Sequence, residues 1–223
     1  MRRIIVLRPQ PAATRTADRA RGMGMDVRVH PLFAPRAVAW VPPPPGDFDA
    51  LLFTSANGVR LAGGRIDRYR AIPAYAVGSA TAQAMADAGF ADVGCGEGDG
   101  SAIARRIAAD GHRRVLHLAG TTVAAMDAGP LQVTRIPVYS MAALPHDPAL
   151  AADAEPGSIL LVHSPRAGER LAEQLVGTAR SGLHVVAISA AAAHACGRGW
   201  ASATHPASPR DDDMLALARR LCE

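Results

Sequence analysis

The run Leu51 to Arg60, LLFTSANGVR, sets three apolar residues directly before Thr54, Ser55 and Asn57, with Gly58 leaving room for a tight turn. The apolar triplet predicts the end of a buried strand, and Val59 to Ala62 can begin a helix. Hydroxyl and amide side chains at such a turn stand at the carboxyl edge of a sheet, where open α/β sheets bind ligands. The N–H groups of the helix start attract anions as well. The same side chains would also serve as plain N-caps, and the stretch alone leaves both uses open.

The stretch has an echo. Ile159 to Ala172 reads ILLVHSPRAGERLA, and LLFTSANGV-RLA aligns over LLVHSPRAGERLA with one gap. Ala74 to Val93, AYAVGSATAQAMADAGFADV, is similarly matched by Val185 to Ala203, VVAISAAAAHACGRGWASA. Each pair is separated by roughly half the chain, which is not a solenoid period. The repeats predict two similar α/β lobes with a cleft between them.

The elements that must position these turns can be read from punctuation and periodicity. Arg3 to Leu7 reads as a strand broken by Arg8-Pro9-Gln10-Pro11, Ala12 to Met23 as a helix, and Asp26 to His30 as a second strand. Arg8 then lies at the carboxyl end of the first strand. His30 to Gly46 contains four consecutive prolines and must be extended. From Asp47, strand and helix alternate: strands at 50–53, 74–77, 92–94 and 115–118, helices from Asn57, at 79–88 and 101–109, and a short helix up to Ala128. Alternation of this kind argues a parallel sheet with crossover helices. Gln132 to Leu144, QVTRIPVYSMAAL, is extended again and pairs with the first connector.

The expected fold class is therefore α/β, with two lobes, each a parallel sheet flanked by helices, joined by a two-stranded antiparallel linker. The boundaries are 1–30 and 145–223 for a discontinuous lobe 1, 31–46 and 132–144 for the linker, and 47–131 for lobe 2. Ser164-Pro165 starts a helix, and Asp211-Asp212-Asp213 reads as the acidic start of the last one, a cap and not a metal site.

Composition narrows the chemistry. With 49% hydrophobic and 20% charged residues the chain can bury a core. No apolar run approaches the ~18 residues of a membrane span. The MRRIIVL start is too short for a signal sequence, so a cytoplasmic protein is expected. The net charge of +4 is carried by arginine, whose planar fork suits carboxylate or phosphate. No dense basic tract occurs and aromatics are few, which argues against nucleic acid. Cys95, Cys196 and Cys222 are scattered, and neither CxxC nor HExxH occurs, so no metal site is expected. No GxGxxG follows the first strand, and GCGEGDG at 94–100 reads as a loop before a helix, not a dinucleotide turn.

Taken together, IIVLRP, DFDALLFTSANGV, AYAVGSATAQA with GFADV, RVLHLAG, RIPVYSM, ILLVHSPRAGERL, VVAIS and the acidic start of the last helix resemble the uroporphyrinogen-III synthase family. The resemblance spans nearly the whole chain and rests on the order and spacing of the motifs. It implies two α/β lobes on a two-stranded linker that close on substrate, and a monomeric enzyme needing neither cofactor nor metal. The implied substrate is hydroxymethylbilane, a linear tetrapyrrole with eight carboxylates, taken in transient hand-over from hydroxymethylbilane synthase. The implied reaction closes the macrocycle with inversion of ring D through a spiro intermediate.

Such chemistry asks the protein to hold a flexible chain in a closing geometry, stabilise developing charge and help a hydroxyl leave. A phenol, ordinarily titrating near 10, is protonated at neutral pH and can donate to a leaving oxygen. Tyr139 in PVYS matches the family's tyrosine and is expected as that donor or positioner. Thr54, Ser55, Ser79, Thr81 and Ser164 match family cleft positions and are assigned to carboxylate binding, with Arg8, His163 and Arg166 as further candidates. Two departures stand out: Asn57 replaces a basic residue of some relatives, and Ala190 to Ala193 replace a hydroxyl-rich turn, leaving Ser189 as its donor. That loss motivates the alternative of a non-catalytic two-lobed protein binding a tetrapyrrole or another polycarboxylate. A hinged sensor or transport protein is a third reading.

Overall fold

The central strands form where apolar residues run three or four at a time. The computed structural model describes residues 2–96 and 99–222; Met1, Glu97, Gly98 and Glu223 lie outside the described residues, and of the 94–100 run read above as a loop, Gly94 to Gly96 belong to a strand. The chain begins β1 (Arg3–Val6), α1 (Ala12–Gly22), β2 (Asp26–Val29) and β3 (Phe33–Ala37). A 3-10 turn at Pro45–Asp47 leads to β4 (Ala50–Phe53), α2 (Ala56–Ala62), a 3-10 segment (Gly63–Tyr69) and β5 (Ala74–Val77). Then come α3 (Ser79–Asp87), β6 (Val93–Gly96), α4 (Gly100–Ala109), β7 (Arg114–Gly120) and β8 (Gln132–Ala143). The last part runs α5 (Pro148–Asp153), β9 (Ile159–Val162), α6 (Pro165–Gln174), β10 (His184–Ala187), α7 (Ala190–Ala195), β11 (Ser202–Thr204) and α8 (Asp211–Cys222).

These elements form two units, Met1–Ala34 with Ala142–Glu223 (lobe 1 below) and Pro35–Met141 (lobe 2). The sheet of lobe 1 has the order β11-β10-β9-β1-β2, and every pairing in it is parallel. The sheet of lobe 2 has the order β3-β8-β7-β4-β5-β6, parallel from β8 to β6. Beside β8, β3 runs antiparallel. Val38 donates to Val138 and Leu144 to Leu32, each at 2.9 Å, so residue numbers rise along one strand as they fall along the other.

The two sheets repeat one plan. Strands β6-β5-β4-β7-β8 stand in the same spatial order as β11-β10-β9-β1-β2. The sequence echo of 51–62 in 160–172 thus superposes β4-α2 on β9-α6. Lobe 1 is a permuted copy, with its last two strand positions filled by β1 and β2.

The central strands are apolar throughout because both their faces are covered: all four residues of β4 and of β9 are buried. Leu51 and Phe53 join one core of lobe 2 while Ala50 and Leu52 join the other, as the two-residue period of a strand requires. In lobe 1, Ile4, Val6, Ile159 and Leu161 pack against Ala13, Ala17 and Ala20 of α1 and Met214, Leu215 and Ala218 of α8.

The helix expected up to Ala128 does not form. Ser101 Oγ takes the Asp127 N–H, Asp127 Oδ1 takes the Gly129 N–H, and Gly129 adopts φ 53 before Pro130. Side-chain competition for backbone donors and a left-handed glycine hold the segment as a loop. Two short elements that the periodicity did not reveal, α5 and the 3-10 segment at Gly63–Tyr69, are present.

Candidate functional site

In each sheet the chain departs in opposite directions from two neighbouring strands, which creates a crevice at their carboxyl ends. In lobe 1 these strands are β1 and β9, and in lobe 2 they are β7 and β4.

Arg8 follows β1, and His163 and Ser164 follow β9. Arg8 and His163 are joined by a residue from the far end of the chain, Asp211 in the first turn of α8. Its Oδ1 accepts from His163 Nε2 at 2.7 Å and from Arg8 Nη1 at 3.3 Å. Its Oδ2 accepts from the fully buried Thr16 hydroxyl at 2.8 Å and from the exposed Arg19 at 3.5 Å. Arg8 Nη1 also reaches Thr16 Oγ1 at 3.2 Å. The Asp211 side chain is only 16% exposed. Burial alone would push its carboxyl up, but the bonds from His163 and Thr16 and the charges of His163 and Arg8 outweigh it and hold the carboxyl below its ordinary value. Burial likewise lowers Arg8, with Asp211 opposing. His163 must carry its proton on Nε2 to meet a carboxylate, and its Nδ1 is buried without a partner.

The other lobe 1 candidates stand apart from this cluster. Ser164 caps α6, its Oγ accepting from Ala167 N at 3.1 Å. Arg166 stacks its guanidinium 4.5 Å above the Phe33 ring. Ser189 caps the six-residue α7 by accepting from Ala192 N at 3.3 Å.

Lobe 2 places neutral groups at the corresponding edge. Thr54 follows β4, with its hydroxyl 3.1 Å from Nε2 of His117 on β7. His117 is 3% exposed, and burial, helped by the charge of Arg135, pushes its imidazole down to about 4. It is therefore neutral at pH 7. Ser55 caps α2, accepting from Asn57 N at 3.2 Å, and Asn57 is half-buried in the first turn. Ser79 opens α3 and is exposed, while Gly78, at φ 80, takes the cap position. Thr81 is buried inside α3, unlike the exposed donor its position suggested.

Tyr139 owes its direction to a bulge. Ala119 faces Pro137 and Gly120 faces Tyr139, so Val138 is an extra residue on β8. A bulge shifts the alternation of side chains and re-aims the residues beyond it. Val138 goes into the core and Tyr139 is left half-buried, with its carbonyl accepting from Thr121 N at 2.9 Å. The phenol lies over Gly120: a Cβ there would stand 2.9 Å from Tyr139 Cζ and 3.1 Å from the hydroxyl oxygen. Among the described residues, no hydrogen bond engages that hydroxyl.

Arg8 and His163 are thus brought together in lobe 1, and Thr54, Ser55 and Asn57 share one turn in lobe 2. Ser189 caps α7 as Ser55 and Ser164 cap their helices, Arg166 lies against Phe33, and Thr81 is buried. Asp211, Thr16, His117 and Gly120 were not singled out from sequence. His117 left a signal, a lone imidazole in the apolar strand RVLHLAG, and Asp211 left one in its acidic run. Neither signal names a partner. Among the described residues, no group of three or more His, Cys, Asp or Glu is placed to hold a metal ion, and no helix is long and apolar enough to cross a membrane.

Comparison with known proteins gives a consistent picture. The family model described as uroporphyrinogen-III synthase HemD matches residues 14–216. No curated protein matches the sequence. The crystal structure of a uroporphyrinogen-III synthetase from Helicobacter pylori 26695 is 18% identical, with 99% of this chain and 100% of that one covered, at a TM-score of 0.62. A mutant uroporphyrinogen III synthase from Thermus thermophilus is 16% identical, with 100% and 99% covered, at a TM-score of 0.48. The first of these supports the two-lobed fold; the second is too loose a fit to add to it.

Proposed function

This chain belongs to the uroporphyrinogen-III synthase family, and from that premise we propose how its residues carry the reaction. The enzyme is a cyclising lyase that converts hydroxymethylbilane to uroporphyrinogen III and water, and family membership favours this over the non-catalytic binder. The observation that carries the residue-level reading is the unengaged Tyr139 hydroxyl, held over Gly120 by the β8 bulge.

Tyr139 donates its proton to the hydroxyl of the hydroxymethyl group as the C–O bond breaks. Water leaves, and the electron pair of the ring A pyrrole forms the azafulvenium cation, which keeps its N–H and is balanced by the Tyr139 phenolate. The substituted carbon of ring D attacks it, the spiro intermediate fragments and rejoins with ring D reversed, and a carbon-bound proton is lost to restore aromaticity. That proton can return to the phenolate. The pyrroles supply the electrons, so the protein's work is positioning and charge stabilisation.

Substrate carboxylates bind along the carboxyl edge of each lobe. Arg8 offers its Nε and Nη2 groups, which no described residue engages, and His163 sits beside it. Thr54, Ser55, Asn57, Ser79 and Ser164 present hydroxyl or amide donors. A serine oxygen that accepts a backbone N–H as a cap still has its own O–H to donate, so capping and binding are compatible at Ser55 and Ser164. Ser189 caps α7 in the same way and keeps the same donor, while Thr81 is buried in α3 and Arg166 lies against Phe33. The protein acts as a cytoplasmic monomer, residues 31–46 and 132–144 connect the lobes, and substrate arrives by transient hand-over from hydroxymethylbilane synthase. Sedimentation at working concentration tests the monomer.

The deciding experiment supplies freshly generated hydroxymethylbilane to the purified protein and resolves the products as type I or type III isomers. Mostly type III product, with a Tyr139→Phe variant that folds but turns over far more slowly, is the expected result. An undiminished Tyr139→Phe rate would remove Tyr139 from the chemistry.

A further inference from the structure

Asp211 begins α8, where an acidic residue needs no explanation beyond the helix dipole. Its surroundings say more. Its two oxygens take four donors, from α1 (Thr16, Arg19), from the turn after β1 (Arg8) and from the turn after β9 (His163). The Arg19 contact is half-exposed and contributes little. The other three converge on the crevice of lobe 1.

The geometry divides Arg8 in two. Nη1 is spent on Asp211 and Thr16, while Nε and Nη2 have no partner among the described residues. Nε and Nη2 form a parallel N–H pair on one side of a guanidinium, the pattern that takes a carboxylate with two hydrogen bonds. Asp211 also fixes the ring of His163 by its Nε2. That ring is only 10% exposed, and its Nδ1 is a buried acceptor without a protein donor. A carboxylate that grips one nitrogen of each side chain leaves the remaining nitrogens in one orientation.

We propose that Asp211 is a positioning residue, holding Arg8 and His163 so that the free Nε and Nη2 side of Arg8 receives one carboxylate of the substrate. The inference rests on the reading above that Arg8 binds substrate. It makes the start of α8 part of the binding site without contact to the reacting atoms.

The test compares kcat, KM and Tm for type III product formation in the wild type, Arg8→Ala, Asp211→Asn, Thr16→Val and the Arg8→Ala/Asp211→Asn double variant. Asp211→Asn is expected to raise KM about tenfold and change kcat by less than about twofold, because it weakens orientation and not chemistry. The double variant should fall well short of the product of the two single effects, since Asp211 acts through Arg8. Thr16→Val keeps the charge and the helix start and should raise KM about threefold, so it carries the test if Asp211→Asn does not fold. A lowered Tm with unchanged KM in Asp211→Asn and Thr16→Val, while Arg8→Ala raises KM, overturns the proposal and leaves Arg8 as a binder. Fully multiplicative single effects overturn it too. An unchanged KM in Arg8→Ala overturns the binding reading itself, and the proposal with it.

Discussion

At equivalent places in the repeated plan, lobe 1 has Arg8 and His163 where lobe 2 has Ala119 and Thr54, and the last helix of each plan begins at Asp211 in lobe 1 and at Gly100, behind the capping Asp99, in lobe 2. Both lobes use the carboxyl ends of the same two strand positions, and both cap the following helix with a serine, Ser164 or Ser55. The charged groups of lobe 1 are tied to one another. At the matching edge of lobe 2, Thr54, Ser55 and Asn57 are uncharged, and the imidazole of His117 is held neutral by burial. One backbone plan thus supports two chemistries. Under the proposed function, both lobes bind carboxylates, lobe 1 with a charged donor and lobe 2 with neutral ones, and Tyr139 of lobe 2 handles the proton.

The largest expected effect breaks or confirms that division directly. Tyr139→Phe should lower kcat by about a hundredfold or more, the usual range for a lost general acid, with little change in KM. Arg8→Ala should do the reverse. If both variants moved KM alone, the lobes would differ in composition but not in role.

A pH series separates the lobes by stability. The unfolded His117 imidazole titrates near 6.5 and the folded one at about 4, so as pH falls through this window the unfolded state takes up the proton first. Lobe 2 should lose up to about 3 kcal/mol between those values. The carboxyls of Asp211 and Asp147 in lobe 1 are held below their ordinary 3.8, and their contribution is fully present above it and lost only as pH falls below it. Burial and the charge of Arg2 lower His184 in lobe 1 as well, so both lobes lose stability as pH falls below 6.5, and amide hydrogen exchange should show the larger loss in lobe 2, where His117 is 3% exposed. His117→Asn should flatten the lobe 2 slope; a slope that persists there would refute the assignment.

Two glycines sharpen the comparison of packing. A Cβ on Gly168 in α6 would stand 2.9 Å from Ala192 O and Cys196 N, whereas on Gly58 in α2 it would meet Phe53 Cδ1 at 3.1 Å and Leu118 O at 3.2 Å. Overpacking against backbone costs about 1–3 kcal/mol, partly offset by the ~1 kcal/mol helix preference of Ala over Gly. Gly168→Ala should lower Tm by several degrees and Gly58→Ala by less. Equal shifts would mean that the α6–α7 contact is no tighter than the contact of α2 with β4 and β7.

The smallest effect isolates the phenol's seat. Gly120→Ala should displace Tyr139 and cost about tenfold in kcat, as misplacing a reacting group does. Added to Tyr139→Phe, it should cost nothing further.

The α/β class and the two-lobed repeat were legible because strand and helix periods differ and because LLFTSAN and LLVHSPR carry the same strand-cap-helix grammar. What could not be read was side-chain company across long separations. Asp211 looked like a cap because its local neighbours are acidic, while its partners lie at Arg8, Thr16 and His163. Thr81 looked like a donor by position, but its place on α3 turns it inward. The bulge at Val138 has no local marker either; it arises from the pairing of β8 with β7. The missing helix before Ala128 was a misjudged competition, in which Asp127 and Gly129 offered the backbone a turn instead.

The permutation of lobe 1 also has a consequence in time. Lobe 2 is one continuous segment, so its strands β4 to β8 can pair as soon as they leave the ribosome. Ile4 pairs with Ile159 in lobe 1, so β1 waits for a strand made only after the whole of lobe 2. That wait carries a long loop-closure cost and favours a nascent chain in which lobe 2 is folded while β1 and β2 still lack their sheet.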